Sequence, residues 1–258
     1  MKIKEIVSAL ERFAPLPLQD GFDNAGLQIG LTEAEATGAL LCLDVTEAVV
    51  DEAIALGYNL VIAHHPLIFK GCKSITGSDY VERCIIKAIK NDIVVYAAHT
   101  NLDNAPGGVN FKIAEKIGLK HVRVLEAKEG EAGAGVIGEL DKPETETEFL
   151  KRIKKTFEVE CLRHNKLTGR EIQTVALCGG AGAFLMPLAI QQRADVFITG
   201  EIKYHDYFGH EGDLLLAEIG HYESEQYTKE IFYTIIRDLF PNFEVQMTKI
   251  NTNPIKYM

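Results

Sequence analysis

Between Ala39 and His65 an almost wholly apolar run (ALLCLD), a segment of helical period (VTEAVVDEAIALGY) and a second apolar run (NLVIAHH) follow one another. Strands with no polar alternation must be covered on both faces, which is the condition of a parallel sheet flanked by helices. The stretch therefore reads as a strand-helix-strand unit. Val49, Val50, Ala53 and Ile54 form the apolar helix face, Asp44 or Thr46 is placed to cap its start, and Gly57 to end it. A third strand, IVVYAAH from Ile93 to His99, follows the helix-like VERCIIKAIK. After a turn at Asn104–Gly108 comes another helical pattern ending at Gly118.

The second half repeats the arrangement in TVALCGG, AGAFLMPLAIQQR and ADVFITGE, from Thr174 to Glu201. Superposing the two helices puts Gly200 and Glu201 at the strand tip that carries His64 and His65 in the first unit, a weak internal duplication and not a solenoid. A strand, LLLAEIG, then leads into a long helix from about Tyr222 to Leu239, with Ile231, Phe232, Ile235, Ile236 and Leu239 facing the core. A last strand lies near Phe243–Ile250. From roughly Leu125 to Glu171 the composition turns Gly/Ala-rich and then charged, which reads as a small inserted lobe between two parts of an α/β core, residues 1–124 and 172–258.

Net charge narrows the function. With 27 Lys+Arg against 37 Asp+Glu the chain carries -10, which disfavours binding to a phosphate backbone through a broad basic surface. No apolar stretch approaches the roughly 20 residues of a membrane helix. The five cysteines are scattered and lack a CxxC pair, so neither a disulfide framework nor a thiolate zinc knuckle is expected, and a reducing cytoplasm is the simplest home.

Chemistry-bearing side chains collect at strand tips, where α/β proteins place their ligands. Ala63-His64-His65-Pro66 ends one apolar strand in two imidazoles. The next strand runs into His99-Thr100-Asn101-Leu102-Asp103, and LLLAEIG runs into His221-Tyr222-Glu223-Ser224-Glu225. His221 and Glu225, four apart, share one face of a helix's first turn. Each segment alone has a bland explanation: a backbone-bonded histidine, a turn aspartate, a first-turn acid. Three apolar strands ending in His-His, His-x3-Asp and His-x3-Glu, expected to lie in one sheet with their tips on one edge, make coincidence the poorer account. Imidazole and carboxylate without thiolate suit Zn, Mn, Fe or Ni. Two acids allow bridging, so a pair of ions about 3.5–4 Å apart sharing an activated water is the natural arrangement.

Gly180-Ala181-Gly182 follows a strand and opens a helix, but Leu185 stands where a dinucleotide fingerprint needs its third glycine. No P-loop occurs. The glycine turn either offers NH groups to an anion or permits close helix packing. Thr199-Gly200-Glu201-Ile202-Lys203-Tyr204-His205-Asp206 is polar after its strand. Glu201 or His205 could shuttle protons there and Lys203 meet a phosphate, although a solvated loop explains the charges equally well.

The set AHHPLIF, HTNLDNAPGGVN, CGGAGAF, TGEIKYHDY, GHYESEQ and the closing TNPIKYM resembles the GTP cyclohydrolase I type 2 homologues, the Nif-three-like dinuclear metal proteins, essentially end to end. The early DGFDNAGLQIG resembles that family's Trp-Asp-Asn-x-Gly-Leu segment, with Phe22 in place of Trp. The resemblance implies a two-metal centre with ligands His64, His65, Asp103, His221 and Glu225, and His99 as a further site-lining residue. It also implies an intertwined three-layer α/β/α fold and a homohexamer with metal sites facing an internal cavity. The activity it implies is hydrolysis of GTP or a related nucleotide with two divalent ions per chain activating water; in such a hydrolase Glu201, His205 or His99 would handle protons. Two other readings share the metals: a non-catalytic metal-binding assembly or regulatory protein, and a metal-dependent phosphoesterase.

Overall fold

The computed structural model describes residues 1–128, 130–210 and 212–258; Glu129, within the stretch read as a lobe, and Glu211 lie outside the described residues. The chain is a mixed α/β protein of two compact units. One comprises Met1–Leu102 with Thr228–Pro254, the other Asp103–Tyr227 with Ile255–Met258.

The first unit is built from α1 (Ile3–Phe13), β1 (Gly26–Ile29), β2 (Ala39–Cys42), α2 (Glu47–Leu56), β3 (Leu60–Ala63), α3 (Tyr80–Lys90), β4 (Val94–Ala97), α9 (Thr228–Leu239) and β11 (Val245–Met247). The sheet order is β1-β4-β3-β2-β11. All neighbours run parallel except the β1–β4 pair. Leu40, Cys42, Val61, Ala63 and Val95 point to one face, where Val49, Val50 and Ala53 of α2 and Cys84, Ile85 and Ala88 of α3 bury them. The alternate residues Leu41, Ile62 and Tyr96 are as deeply buried and face the other way. On that side α9 packs on β2 and β11, and α1 on α9.

Local signals explain α2. The Thr46 hydroxyl accepts from Val49 N, and Gly57 closes the helix at φ 71°, a left-handed conformation that glycine adopts without cost. Of the two capping residues the sequence offered, Thr46 takes the role. Ile54, expected on the apolar face, is 38% exposed.

The second unit contains α5 (Val109–Ile117), β5 (Lys120–Ala127), β6 (Gly133–Thr145), α6 (Glu146–Thr156), β7 (Arg163–His164), β8 (Glu171–Cys178), α7 (Met186–Gln191), β9 (Val196–Thr199), β10 (Leu215–Glu218) and α8 (His221–Glu225). The short α4 (Thr100–Asn104) carries the chain across the boundary after Leu102. The sheet order is β5-β6-β8-β9-β10-β7, with β8, β9 and β10 parallel. Leu185, Met186 and Ala189 cover one face over Ala176, Phe197 and Leu216. Helices α5 and α6 pack on β6 and β8.

Three expectations are corrected. Strand β10 does not share a sheet with β3 and β4; it pairs with β9 and β7 in the second sheet. Residues 125–171 are not a separate lobe, because β6 hydrogen-bonds along both β5 and β8 and so belongs to the second sheet. The helix expected over Tyr222–Leu239 is interrupted at Gln226–Tyr227, where the chain passes from one unit to the other, and Leu239 is 52% exposed. The last strand is shorter than its apolar pattern, Val245–Met247. Among the described residues no two cysteines form a disulfide.

Candidate functional site

In the first unit the parallel strands deliver three imidazoles to one end of the sheet. His64 and His65 follow β3 directly and His99 stands two residues beyond β4. Their ring centroids are 4.9 Å (His64–His65), 5.2 Å (His64–His99) and 5.4 Å (His65–His99) apart. Each ring offers a nitrogen within 4.8 Å of the others, close enough for a common metal ion.

Each ring is held by Nδ1. His64, fully buried, donates Nδ1–H to Ala98 O at 2.9 Å. A carbonyl can only accept, so the proton sits on Nδ1 and the Nε2 lone pair is the donor left to a ligand. His65 Nδ1 lies 2.7 Å from Asp44 Oδ1, and His99 Nδ1 lies 2.8 Å from Asp23 Oδ1. Burial alone would raise both carboxyl pKa values. The hydrogen bond and charge of His65 outweigh it at Asp44 and hold that group below its ordinary value. At Asp23, burial is outweighed by hydrogen bonds from His99 and Thr100, which bring the pKa down to about 2. Both acids are thus acceptors that fix the ring tautomer, the usual support of a metal-binding histidine. Phe69 stands edge-on to His99 with centroids 6.1 Å apart, and Phe22 packs on Phe69 at 6.3 Å.

In the second unit Asp103, His221 and Glu225 gather at the turn after β8. Buried Asn110 of α5 donates to the Asp103 carbonyl at 3.1 Å and accepts from Gly179 N at 2.9 Å. A Cβ on Gly180 would come within 2.3 Å of Glu225 Oε1 and 3.3 Å of His221 Cε1, so the glycine turn exists to let α8 approach. Of the two roles open to it in the sequence, close packing is the one the geometry supports. His221 Nδ1 lies 2.8 Å from Glu201 Oε1, and its Nε2 lies 3.1 Å from Glu225 Oε2. Ligand atoms in neighbouring positions around an ion with bonds of about 2.0–2.2 Å stand roughly that far apart, so the pair fits a metal. Imidazole and carboxylate donors match the borderline divalent ions.

Glu201 also lines an open cleft of about 560 Å³ with Lys203, His205, Phe184, Met186 and Phe208. His205 sits in the 3-10 turn Tyr204–Tyr207 after β9, exposed, with Tyr204 and Phe208 beside its ring at 5.2 and 6.4 Å. The turn is fastened by buried Glu218 of β10, which accepts from Ile202 N at 3.2 Å and Tyr207 OH at 2.8 Å and pairs with Arg163.

Sequence reasoning placed the histidines and acids at these ends and singled out Glu201, which supports His221, but missed the other supports. Asp23 lay within DGFDNAGLQIG and Asp44 among the capping residues, and only an acid near a strand tip hinted at either. Asn110 gave no signal.

A sheet whose parallel strands end in braced imidazoles defines an α/β protein with the makings of a metal site. The chain belongs to the Duf34/NIF3 (NGG1p interacting factor 3) family, whose model matches residues 1–254. It is 38% identical to a GTP cyclohydrolase 1 type 2 homolog of Clostridium perfringens, over 87% of each chain. It is 34% identical to one from Lactococcus lactis over 98% of each. Among solved structures it resembles a hypothetical protein of Staphylococcus aureus with a TM-score of 0.94 and 32% identity, covering 100% of this chain and 99% of that one. A Bacillus cereus protein related to NIF3 gives 0.91 and 26%, with the same coverage. Among the described residues no helix is long and apolar enough to cross a membrane.

Proposed function

We propose that the protein is a dinuclear metal-dependent hydrolase acting on GTP or a related nucleotide, with His64, His65, Asp103, His221 and Glu225 as metal ligands. The observation that carries the reading is tautomer control. Nδ1 of His64 and His65 faces an acceptor oxygen at 2.9 and 2.7 Å, which reserves Nε2 of each ring for a cation, and His221 stands between two carboxylates with its Nε2 3.1 Å from Glu225 Oε2. Membership of the family and the names of the curated relatives support the rest.

Divalent ions held there would supply Lewis-acid charge and bring the pKa of water toward neutrality. The remaining work falls to side chains. Glu201 and His205, exposed on one cleft, exchange protons with the bound molecule, and His99, oriented by Asp23, serves the same purpose beside His64 and His65. Lys203 meets an anionic group. Phe184 and Phe208 give the cleft apolar walls, and its volume of about 560 Å³ suits a small molecule. The assembly we infer is the homohexamer that the family resemblance implies, which light scattering on purified protein would test.

The deciding experiment is elemental analysis of the native protein and of a His65→Ala/Glu225→Ala double variant, each screened for turnover of GTP and phosphoesters. About two metal equivalents per chain, lost together with turnover in the variant, is the expected result. Metal without turnover would move the protein to a binding or assembly role, and a native protein that takes up no metal would refute the ligand assignment.

A further inference from the structure

The C-terminal segment after β11 reaches a metal-binding histidine through two hydrogen bonds. Thr248 N donates to Leu41 O at 2.8 Å, the Thr248 hydroxyl donates to Glu52 of α2, and Lys249 N donates to the same carboxylate at 3.0 Å. Ile250 packs on the apolar cluster of the first unit. So anchored, the segment sets Thr252 Oγ1 at 2.6 Å from Asp44 Oδ2, while Asp44 Oδ1 stands 2.7 Å from His65 Nδ1.

A carboxylate has two oxygens and free rotation about its terminal torsion. Here each oxygen has its own partner, one hydroxyl and one imidazole. With Oδ2 held by Thr252, Oδ1 is aimed at the ring and accepts Nδ1–H, which leaves Nε2 as the lone-pair nitrogen. An imidazole without such an acceptor populates both tautomers, and the form with its proton on Nε2 has to lose it there before it binds a cation.

We propose that Asp44 and Thr252 are positioning residues for His65. The Thr252 hydroxyl orients the Asp44 carboxylate, and the carboxylate fixes the His65 tautomer and ring plane for metal binding. The closing Thr252-Asn253-Pro254 segment thereby helps set metal affinity without touching a ligand. This inference rests on the metal reading of His65, and its test separates the two.

The test measures metal affinity by competition with a chromophoric chelator in native protein and in Thr252→Val, Thr252→Ser and Asp44→Asn. A second readout is the ¹⁵N shift pattern of the His65 ring in metal-free protein, which distinguishes Nδ1–H from Nε2–H. Loss of a support of this kind weakens metal binding about 10–100-fold. Thr252→Val is expected near the lower end and Asp44→Asn nearer the upper, with Thr252→Ser at the native value because it keeps the hydroxyl. The ring should be Nδ1–H in native protein and a tautomer mixture in Thr252→Val. If Asp44→Asn fails to fold, the isosteric valine variant carries the measurement. Native metal affinity and native ring shifts in Thr252→Val would overturn the inference while leaving the metal reading intact. Native protein that binds no metal would overturn the metal reading and with it the role assigned to the brace, and the ring shifts would then show whether the tautomer is held at all.

Discussion

Each sheet contains three consecutive parallel strands joined in chain order, and the two sets finish in opposite ways. In the first unit β2, β3 and β4 run out into Asp44, His64–His65 and His99; in the second β8, β9 and β10 run out into Gly179–Gly180, Gly200–Glu201 and Gly220–His221. Side chains crowd the tips of one sheet, and in the other glycine follows β8 and β9 directly and stands two residues beyond β10. The difference follows from where the donors sit. The first unit takes its imidazoles from the strand ends themselves. The second takes His221 and Glu225 from α8, and the strand ends must be bare for that helix to settle against them. A Cβ on Gly200 would meet Gly180 O at 2.7 Å and His221 Cα at 2.8 Å.

The largest expected effect breaks that bareness. Gly200→Ala should lower stability by roughly 2–3 kcal/mol, the cost of overpacking where the obstructing atoms belong to backbone and cannot swing aside. Urea denaturation measures it. A change under about 0.5 kcal/mol, the scale of an unconstrained surface site, would show that the second sheet's tip is not closed by α8. The contrast is sharp because the corresponding position of the first unit holds a whole imidazole, His64.

Acid provides the next test. The Asp23 side chain is fully enclosed and its pKa falls to about 2 in the folded protein. A depressed carboxyl pKa gives stability that is present above the unfolded value near 4 and disappears as pH drops through the folded value. The native protein should therefore lose on the order of 2 kcal/mol between about pH 4 and pH 2 through this group. Asp23→Asn should flatten that part of the profile. Equal slopes in the two proteins would remove Asp23 as the acid-sensitive brace of the first unit.

How much of this was legible depended on range in sequence. The unit β2-α2-β3 was readable because its signals are local: two apolar runs, a capping threonine and a closing glycine within 27 residues. The positions of His64, His65, His99 and His221 at strand tips were legible for the same reason, each lying within three residues of a strand's end, with Asp103 and Glu225 four residues after a histidine. Glu201, the support of His221, was also within reach of that reading, and the supports of the first unit were not. Asp23 meets His99 across 76 residues and Thr252 meets Asp44 across 208, separations at which periodicity says nothing. The placement of β10 was missed because an apolar pattern marks a strand without naming its neighbour. Residues 125–171 were misread because β6 is glycine-rich at its start and charged at its end, with a register irregularity between Glu139 and Glu144 where it bends past β8. Composition there imitates an insertion while the backbone continues a ladder.

A smaller effect concerns the loop that carries Lys203 and His205. In the first unit β4 ends on apolar Ala97; in the second, β10 ends on Glu218, whose carboxylate gathers Ile202 N, Tyr207 OH and Arg163. Burial, followed by the bond to Glu218, pushes the Tyr207 phenol well above its usual pKa, so it remains a donor throughout the neutral and mildly alkaline range. Tyr207→Phe should cost about 1 kcal/mol, the net worth of one such bond, because Glu218 keeps its other two partners. Hydrogen exchange should quicken at the backbone amides of the Tyr204–Tyr207 turn and stay unchanged in β9. Unaltered exchange in the turn would mean that Glu218 does not fasten it through Tyr207.

The smallest change in stability is expected where the two units differ most in exposure. Glu201 braces His221 as Asp23 braces His99, at the same 2.8 Å, yet its side chain is 60% exposed where that of Asp23 is enclosed. A pair so open to solvent adds little to folding, so Glu201→Gln should shift stability by less than about 0.5 kcal/mol. Its effect should appear instead in ligand chemistry. The amide still accepts from Nδ1–H but carries no charge, which makes His221 a weaker donor and lowers metal affinity by about 10-fold. A variant that unfolds more easily yet holds metal as tightly as the native protein would reverse the assignment, making Glu201 a structural partner of His221. A variant equally stable and weaker in metal binding would separate the two kinds of brace: an enclosed acid in the first unit that the fold depends on, and an exposed one in the second that serves the site and not the fold.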